Sequence, residues 1–504
     1  MFTGMSINGK GLSLASLLFI VAMLPTSSPA QSVVHKNAWQ AELEAGGFMA
    51  SPSAMPFWLR TNQYGIVPLT APVATLRASL TKRYAHQDTS AVRKSVDWGF
   101  GVNPVVNAGK TNQVILAEAY VKGRFRSLEL FAGRRRELIG LGDSTLSSGF
   151  MIGSGNALPV PKVQLATMGY IPLKFLGSVL AINAGYGHGW FNADYIKGAY
   201  LHQKYLYGRL GKPEWPVKLH LGVNHQVQWA GQADYLRDFS DRVNPDGKLP
   251  SSLKAYVAAV TGVVPKDWAG TDITSFDTYA VGNNLGSYDA GIEVDTRQMH
   301  FLLYHQHIFD DKSGIALVNI PDGLTGLSWQ RKPLTPPTGA FQLSRVVLEF
   351  ISTLDQSGST FYVPNSIYQG RDNYFNHAQY IEGWSYKGRT IGTPFIAPYL
   401  DFRPETQQAG GGFFPNTRVE VWYVGAEGRL LNQLTWRLRT SYSRNYGIFA
   451  QPYLSVIEQF SSLLSAQITL PRWSNTIVTA SVALDRGKLY ENTVGGFLSV
   501  KKIW

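Results

Sequence analysis

The sequence predicts an all-β protein, an antiparallel transmembrane β-barrel of about 16–18 strands with short amino-terminal helices and long outer loops. Three observations predict it: strands with a side-chain period of two, an excess of aromatic residues, and connections of very unequal length. The period is clearest in residues 217–229, where Val217, Leu219 and Leu221 alternate with polar residues such as Gln226. Such a strand has one apolar and one polar face, and about 9 to 11 tilted residues cross a bilayer. We expect Leu221 to face lipid and Gln226 to face a wet interior.

Residues 1–30 predict an exported chain. Lys10 is their only charged residue, an apolar run extends from Leu12 to Leu24, and small residues surround Ala30. This layout is typical of a secretory signal peptide. A transmembrane anchor helix is the alternative, but a run of about 13 residues falls short of the roughly 20 that a helical span needs. We therefore expect a removable signal peptide over 1–30.

Residues 31–90 are expected to form an amino-terminal helical or plug segment that is not part of the barrel wall. Their alternation is poor, and Val73, Leu76 and Leu80 lie at helical spacing. The barrel itself is expected over 91–504, where strand patterns dominate. The chain stops on Trp504, and a terminal aromatic residue after an alternating strand resembles the assembly signal of bacterial outer-membrane barrels.

Strand patterns recur throughout 91–504. The clearest are 98–102, 114–121, 128–133, 179–186, 201–210, 217–229, 291–294, 299–304, 346–351, 419–427, 434–442, 463–470, 477–484 and 495–504. Short connections such as 295–298 contrast with long ones such as 237–285, which has helical spacing near Leu253, and 364–398. Short turns at one rim and long loops at the other are typical of outer-membrane barrels. At this size an open barrel holds a water channel unless something fills it.

The composition limits the classes of molecule that the chain is expected to bind. Aromatic residues make up 12% of the chain, which suits membrane girdles or a carbohydrate-binding surface. The formal net charge of +12 favours anionic partners, either lipid headgroups or acidic polysaccharide. We expect no nucleic-acid binding, because the basic residues are scattered through strands and no recognition helix is evident. The absence of cysteine excludes disulfides, thiolate metal sites and a cysteine nucleophile.

Ordered groups of residues along the mature chain resemble the Wzi family of capsule assembly proteins. They are Phe57, Trp58, Leu59, Arg60, Asn62, Gln63, Tyr64 and Gly65; Gly133, Arg134, Glu137, Gly140, Gly142, Asp143, Leu146, Ser147, Ser148 and Gly149; Asn156, Ala157, Pro159, Pro161 and Lys162; Tyr304, Gln306, His307, Phe309, Asp311, Ser313 and Gly314; Leu354, Asp355, Gln356, Ser357 and Gly358; Gly370, Arg371, Asp372, Asn373, Tyr374, Asn376 and His377; and Tyr442, Arg444, Asn445, Tyr446 and Gly447. The resemblance implies an outer-membrane lectin that holds capsular polysaccharide on the cell, without enzymatic activity or cofactor. Sugar-contact residues do not carry over, because the family's contacts lie in variable outer loops.

One dense charged group follows the strand pattern at 128–133. It consists of Arg134, Arg135, Arg136, Glu137 and Asp143. Guanidinium groups bind carboxylates bidentately, so the group could clamp an anion in the lumen. We favour an interior salt-bridge network instead, because acidic partners lie close by in the sequence.

Candidate sugar contacts come from the last long connection. They are Arg371, Asn373, Tyr374, His377, Trp384 and Tyr386. Aromatic rings cover the apolar faces of sugars, while arginine and asparagine hydrogen-bond to hydroxyls and carboxylates. The competing interpretation places these rings in an aromatic girdle or in loop packing.

No metal site is predicted. Asp310, Asp311 and Ser313 hint at calcium, but the spacing lacks the bidentate glutamate of a loop site, and a plain turn is favoured. His305 and His307 share one face of a strand without an evident third zinc ligand. No Gly-x-Ser-x-Gly motif marks a hydrolase.

Together these patterns predict a monomeric outer-membrane barrel, surrounded by outer-membrane lipids, that binds capsular or surface polysaccharide and supports capsule assembly. A porin or polysaccharide export channel is the alternative, and an outer-membrane hydrolase comes third. We expect no cofactor and no enzymatic activity.

Overall fold

The computed structural model describes residues 38–85, 95–237, 246–264, 280–332, 339–361, 363, 366, 368–407, 411–470, 473 and 475–504. These residues form a closed barrel of 18 antiparallel strands, which confirms the predicted fold class. The expected signal peptide over 1–30 lies outside the described residues and stays a prediction.

The barrel strands follow one another around the wall in chain order. They are β1 (Trp39–Ser51), β2 (Val73–Lys82), β3 (Val96–Gly109), β4 (Gln113–Phe125), β5 (Leu128–Arg134), β6 (Lys162–Thr167, continued by Ile171–Pro172), β7 (Leu180–Phe191), β8 (Ala199–Leu210), β9 (Val217–Trp229), β10 (Asn283–Asp295), β11 (Met299–Phe309), β12 (Gly323–Arg331), β13 (Phe341–Ser352), β14 (Val419–Leu430), β15 (Leu434–Ile448), β16 (Gln451–Leu470), β17 (Thr476–Gly487) and β18 (Thr493–Ile503). β18 pairs antiparallel with β1, so the described sheet closes without an exposed edge.

Three short α-helices lie in the described parts of the connections: α1 (Phe57–Arg60), α2 (Leu253–Thr261) and α3 (Lys312–Ile315). Smaller elements are 3₁₀ turns at Lys174–Leu176, Tyr399–Asp401 and Pro404–Thr406, and a hairpin of Ser385–Tyr386 with Arg389–Thr390. The Ser252 side chain caps α2 by accepting a hydrogen bond from Ala255 N (3.1 Å). Among the described residues, every helix is too short or too polar to cross a bilayer.

The two ends of the barrel differ in their connections. One end, termed the loop end, carries the connections 52–72, 135–161, 230–282, 310–322 and 353–418. The other, termed the turn end, carries short turns, including those at 126–127, 296–298 and 431–433. This is the predicted asymmetry of short and long connections.

The outward face of the wall is apolar. On β9, Leu221 points outward and is 69% exposed, as its place in the alternation predicts. Gln226 points inward but is only 1% exposed, and its Oε1 accepts a hydrogen bond from Gln203 Nε2 (2.8 Å). The expected wet interior is therefore wrong at this position, because the inward face meets packed protein.

Outward-facing aromatic rings form two rows. Near the loop end, the ring of Trp422 lies 5.4 Å from that of Phe350 and 5.9 Å from that of Tyr442. Near the turn end, Phe341 stacks on Trp436 at 5.5 Å. Phe341 and Phe350 lie nine residues apart on one strand. At a rise of about 3.3 Å per residue and a strand tilt of about 40°, the two rows are about 23 Å apart along the barrel axis. This height fits the roughly 25 Å apolar band between the girdles of an outer-membrane barrel.

α2 lies outside the wall, against β7, β8 and β9. Its Ala255, Ala258 and Ala259 pack on the outward-facing Val227 and Trp229. The opposite side of the helix exposes the apolar residues Leu253 and Val257, so the apolar outer surface continues over this part of the wall.

The expectation that residues 31–90 are not part of the barrel wall was wrong. β1 and β2 are barrel strands, and within the described part of this segment only Phe57–Arg60 is α-helical. β1 alternates, but small residues such as Gly47 occupy outward positions and hide the pattern. On β2, the helical spacing of Leu76 and Leu80 also fits alternation, and both side chains are outward and exposed.

Replacing Leu221 with arginine should test the placement of the apolar face. We expect Leu221→Arg to destabilise the inserted barrel by about 2 to 4 kcal/mol, because a cation near the bilayer midplane is poorly solvated. Urea unfolding in lipid vesicles measures this cost. Leu431→Arg, in an exposed turn at the turn end, is the control and should change stability by less than about 0.5 kcal/mol. Equal tolerance at both positions would contradict the membrane placement.

Candidate functional site

The lumen is filled by parts of three loop-end connections, 52–72, 135–161 and 353–418, together termed the plug. Large apolar side chains of the plug are almost completely buried. Those exposed by 2% or less include Phe57, Trp58, Leu146, Met151, Ile152, Tyr374, Phe375, Tyr380, Trp384, Tyr386, Ile396 and Phe414. Together with inward wall residues they form the main hydrophobic core of the molecule.

Two wall glycines show how closely the plug approaches the wall. A Cβ added at Gly291 would lie 2.7 Å from Leu141 of the plug, and one at Gly425 would lie 2.7 Å from Leu146. Both distances are too short for carbon atoms in contact. The missing side chains therefore make room for the plug.

Backbone N–H groups of the plug donate to inward carboxylates of the wall. Glu349 accepts from Ser148 N at Oε2 (2.7 Å) and from the Tyr304 hydroxyl at Oε1 (2.5 Å). Asp289 accepts from Leu141 N (2.8 Å). Far along the wall, Asp485 of β17 accepts from Phe57 N (2.8 Å). These bonds satisfy plug donors that burial has removed from water.

Asp401 joins two of the plug connections. Its carboxylate accepts from Arg60 and, at 3.3 Å, from Arg389. Burial lowers the pKa of Arg60, but the charge of Asp401 more than compensates and leaves that pKa above its ordinary value. Burial lowers the pKa of Arg389 to about 10, because Asp401 compensates it less fully. The contact of Asp401 with Arg60 is also the shorter of the two.

Three of the predicted sugar contacts are buried in the plug. Tyr374 donates to Asp322 (2.9 Å), and Trp384 Nε1 donates to the Ile152 carbonyl oxygen (2.9 Å). Tyr386 packs beneath the loop surface, 1% exposed. These rings pack the lumen and present no face to an external sugar, as the competing interpretation of loop packing held.

The other three predicted contacts lie nearer the surface. Arg371 is exposed, whereas Asn373 and His377 are half-buried. Asn373 Oδ1 accepts from Asn376 Nδ2 (3.0 Å). His377 Nδ1 accepts from Gln379 N (3.2 Å), and burial lowers the pKa of His377 to about 4. His377 is therefore uncharged at neutral pH.

Part of the predicted arginine cluster forms an ion-pair network at the wall. Arg135 pairs with Glu129 (2.5 Å) and Glu137 (2.6 Å), and Glu137 also pairs with Lys162 (2.7 Å). Burial raises the pKa of Glu137, but the charges of Lys162 and Arg135 outweigh it and lower the pKa below its ordinary value. Arg136 reaches Glu118 at 3.8 Å. These pairings match the interior-network interpretation for this part of the cluster.

Arg134 and Asp143 have other partners. Arg134 donates to the Leu116 carbonyl oxygen (2.8 Å) and to the Tyr386 hydroxyl (3.3 Å). Asp143 pairs with Arg345 of β13 (2.9 Å). Burial raises the pKa of Asp143, but hydrogen bonding and Arg345 lower it further, so the net shift is downward. Asp143 thus ties the plug to the wall rather than to the arginine run.

A group of carboxylates lies at the loop end between the 310–322 connection and the plug. It comprises Asp310, Asp311 and Asp372, with Asp322 nearby. Burial and the neighbouring charge of Asp311 raise the pKa of Asp372 to about 7. Asp311 also caps α3 by accepting from Ser313 N (2.7 Å), so the predicted turn is present.

Sequence reasoning missed the residues that hold the plug. Glu349, Asp289 and Asp485 are buried carboxylates of wall strands. For Glu349, which lies between Leu348 and Phe350, the signal is an acidic residue between apolar neighbours in mid-strand, because an isolated inward charge needs a partner. The partners themselves lie too far away in sequence to identify.

No family model and no curated protein matches the chain. Among solved structures, it is similar to Wzi of Escherichia coli, described as an outer-membrane protein involved in group 1 capsule assembly and a carbohydrate-binding β-barrel. That match has a TM-score of 0.55 at 12% identity and covers 92% of this chain and 84% of that one. The chain has the fold of an outer-membrane β-barrel.

Two further solved structures are similar at lower scores. OccK3 of Pseudomonas aeruginosa gives a TM-score of 0.45 at 10% identity, covering 92% of this chain and 95% of that one. OprD of the same organism gives 0.43 at 9%, covering 95% and 97%. Membership of the Wzi family stays a prediction, since 12% identity shows the fold alone.

Two cavities of this outer-membrane barrel lie between the plug and the turn end. Their volumes are about 290 Å³ and 250 Å³, and both are lined by Glu44, Gln63, Arg77 and Lys501. Arg439 lines the second cavity, donates to the Thr145 carbonyl oxygen (3.2 Å), and forms no ion pair with a carboxylate of the described residues. The turn-end half of the lumen is thus polar and incompletely filled.

Proposed function

We propose that this chain resides in the outer membrane with its loop end outside, binds capsular or surface polysaccharide there, and supports capsule assembly or attachment. The plug is the observation that carries the proposal. An 18-strand barrel whose loops fill its lumen presents a folded loop surface to the outside instead of a pore. We propose a monomeric binding protein rather than an enzyme.

Charge supports a polyanionic ligand. The chain has a formal net charge of +12, and Arg371 is exposed at the loop end. Guanidinium groups bind carboxylates and phosphates bidentately, and both groups occur on acidic polysaccharides. The fold likeness to a carbohydrate-binding barrel points the same way.

Deleting the gene in the source bacterium tests attachment. We expect total polysaccharide to stay unchanged while the cell-associated fraction falls and the fraction in the medium rises, because synthesis does not need a surface-binding protein. Quantifying both fractions after gentle centrifugation gives the readout, with a plasmid copy of the gene as the complementation control. An unchanged cell-associated fraction would refute the attachment role.

A matched pair of arginine variants tests the binding surface. Arg371 and Arg126 are both exposed and both have a positive φ (62° and 54°), but they lie at opposite ends of the barrel. We expect Arg371→Ala to weaken binding of the purified polysaccharide about 10-fold, as loss of one bidentate charged contact predicts. Arg126→Ala should bind like the wild type in the same detergent-solubilised assay. Equal effects of the two changes would remove Arg371 from the binding surface.

A polysaccharide export channel or porin is the second candidate. The observation that favours it is the pair of polar cavities beneath the plug, with Arg439, which forms no ion pair among the described residues, on one wall. A channel would require the plug to move, so conductance separates the two candidates.

A further inference from the structure

Three aspartates of two connections converge at the loop end. Asp310 and Asp311, the N-cap of α3, begin the 310–322 connection, and Asp372 belongs to the 353–418 connection. Each offers one carboxylate oxygen, and these oxygens all lie within 4.8 Å of one another. Like charges at this separation repel unless a proton or a cation lies between them.

The three carboxylates differ from Glu137 and Asp143 in their ion pairing. The ion pairs of the described chain include none from Asp310, Asp311 or Asp372 to a lysine, arginine or histidine. In addition, Asp310 Oδ1 is closed off from solvent and accepts no hydrogen bond. An unpartnered buried carboxylate oxygen is costly, so this atom calls for a ligand.

A second acidic group at the turn end provides a contrast. Glu293, Asp295 and His300 are equally close together. There, Lys218 lies 2.8 Å from Glu293 and 3.2 Å from Asp295, and Lys332 lies 2.5 Å from Asp295. The protein's own lysines pair with that group, whereas the loop-end group forms no ion pair with a basic residue in the described part of the chain.

The geometry points to a calcium site formed by Asp310, Asp311 and Asp372. All donors are oxygens, which hard divalent cations prefer. Hydroxyl groups hold two of the carboxylates in place: Ser357 Oγ donates to Asp372 (2.7 Å), and Ser313 Oγ donates to Asp311 (2.6 Å). Calcium suits this irregular set better than magnesium, which demands near-octahedral geometry.

The ion joins the 310–322 connection to the plug. Asp310 and Asp311 begin the first, and Asp372 belongs to the second, so one cation ties the outer loops together. This role is separate from polysaccharide binding. A dissociation constant of about 10⁻⁴ to 10⁻³ M is expected, as in other extracellular calcium sites.

Calcium titration of the purified full-length protein in detergent, after chelator treatment, tests the proposal. Calorimetry should show one calcium-binding site, and added calcium should raise the temperature at which the outer loops unfold. Asp372→Asn and Asp310→Asn should each weaken calcium binding at least about 10-fold, since each removes a charged ligand. Asp295→Asn, in the lysine-neutralised group, should bind calcium like the wild type.

A second measurement does not depend on how the variants fold. In the wild-type protein, calcium at about 5 mM should slow proteolysis within 310–322 and leave cleavage near 296–298 unchanged, with magnesium less effective. Absence of saturable calcium binding by the wild type up to about 10 mM would overturn the proposal, because that concentration exceeds the expected range. Unchanged binding by both loop-end variants would overturn it as well.

Discussion

In a planar bilayer, the intact protein is expected to pass no steady ionic current, whereas a variant lacking residues 377–411 is expected to conduct. The deleted segment contains Trp384, Tyr386 and Ile396, which are buried inside the barrel at 1% exposure or less. The deletion removes part of the plug from an 18-strand barrel, a size at which the lumen is wide enough for an aqueous channel. The change from no current to discrete open-channel steps is the largest effect that we predict.

The deletion can be made without straining the remaining loop. Asn376 Oδ1 accepts a hydrogen bond from Phe414 N (3.0 Å), so the two ends of the deleted segment lie close together. A short glycine-serine linker can therefore join residues 376 and 412. A matched variant replaces 253–261, the α2 segment outside the wall, with a similar linker and should remain closed.

The outcome also separates the two candidate functions. If the wild-type protein passes no current and the variant lacking 377–411 does, the result agrees with a surface-binding protein whose lumen is permanently filled. Steady current through the intact protein, at the level of the deletion variant, would instead favour the porin or export channel. Current through the α2 variant would show that opening does not depend on the plug.

The strand pattern could be predicted wherever outward residues are large. β9 and β15 were found, because leucine, valine and tryptophan alternate there with polar residues. β1 was missed, since alanine and glycine occupy several of its outward positions. β12 was also missed, because glycine alternates poorly with the leucines that flank it. Period-two reasoning needs a hydrophobic contrast that small residues do not supply.

The content of the lumen could not be predicted from the same pattern. Alternation says only that one face of a strand is apolar and the other polar. Gln226 illustrates the gap, because a glutamine suits water as well as a hydrogen-bonded interior. Likewise, the rings of Tyr374 and Trp384 fit a sugar surface or a packed plug equally well by composition.

Long-range partners limited the prediction of the site most. Arg60 and Asp401 pair across 341 positions, and Asp310 meets Asp372 only because two connections fold over one rim. The prediction was better for the arginine run, because Arg135 pairs with Glu129 and Glu137, both within six positions in the sequence. Closeness in sequence favoured a salt-bridge network for this run, but the individual pairs came only from the structure.

Glu349→Ala is expected to destabilise the protein by about 2 to 6 kcal/mol, the second largest effect on the chain. Glu349 is 5% exposed and accepts from Ser148 N of the plug and from the Tyr304 hydroxyl of the wall. Alanine leaves both donors buried without a partner, and each such donor costs about 1 to 3 kcal/mol. Glu349→Gln should lose less, because its amide oxygen still accepts one of the two bonds.

Urea unfolding in lipid vesicles, followed by tryptophan fluorescence, measures these costs, and amide exchange at Ser148 reports the plug contact itself. Glu427→Ala is the matched control, because Glu427 pairs with Arg437 (2.5 Å) in a partly exposed salt bridge that contributes about 0 to 1 kcal/mol. A free energy of unfolding lowered equally in the two alanine variants would contradict the role of Glu349 as an anchor. If Glu349→Ala lowers the free energy of unfolding more than Glu427→Ala does, and amide exchange at Ser148 is faster in that variant, the contact between wall and plug stabilises this barrel.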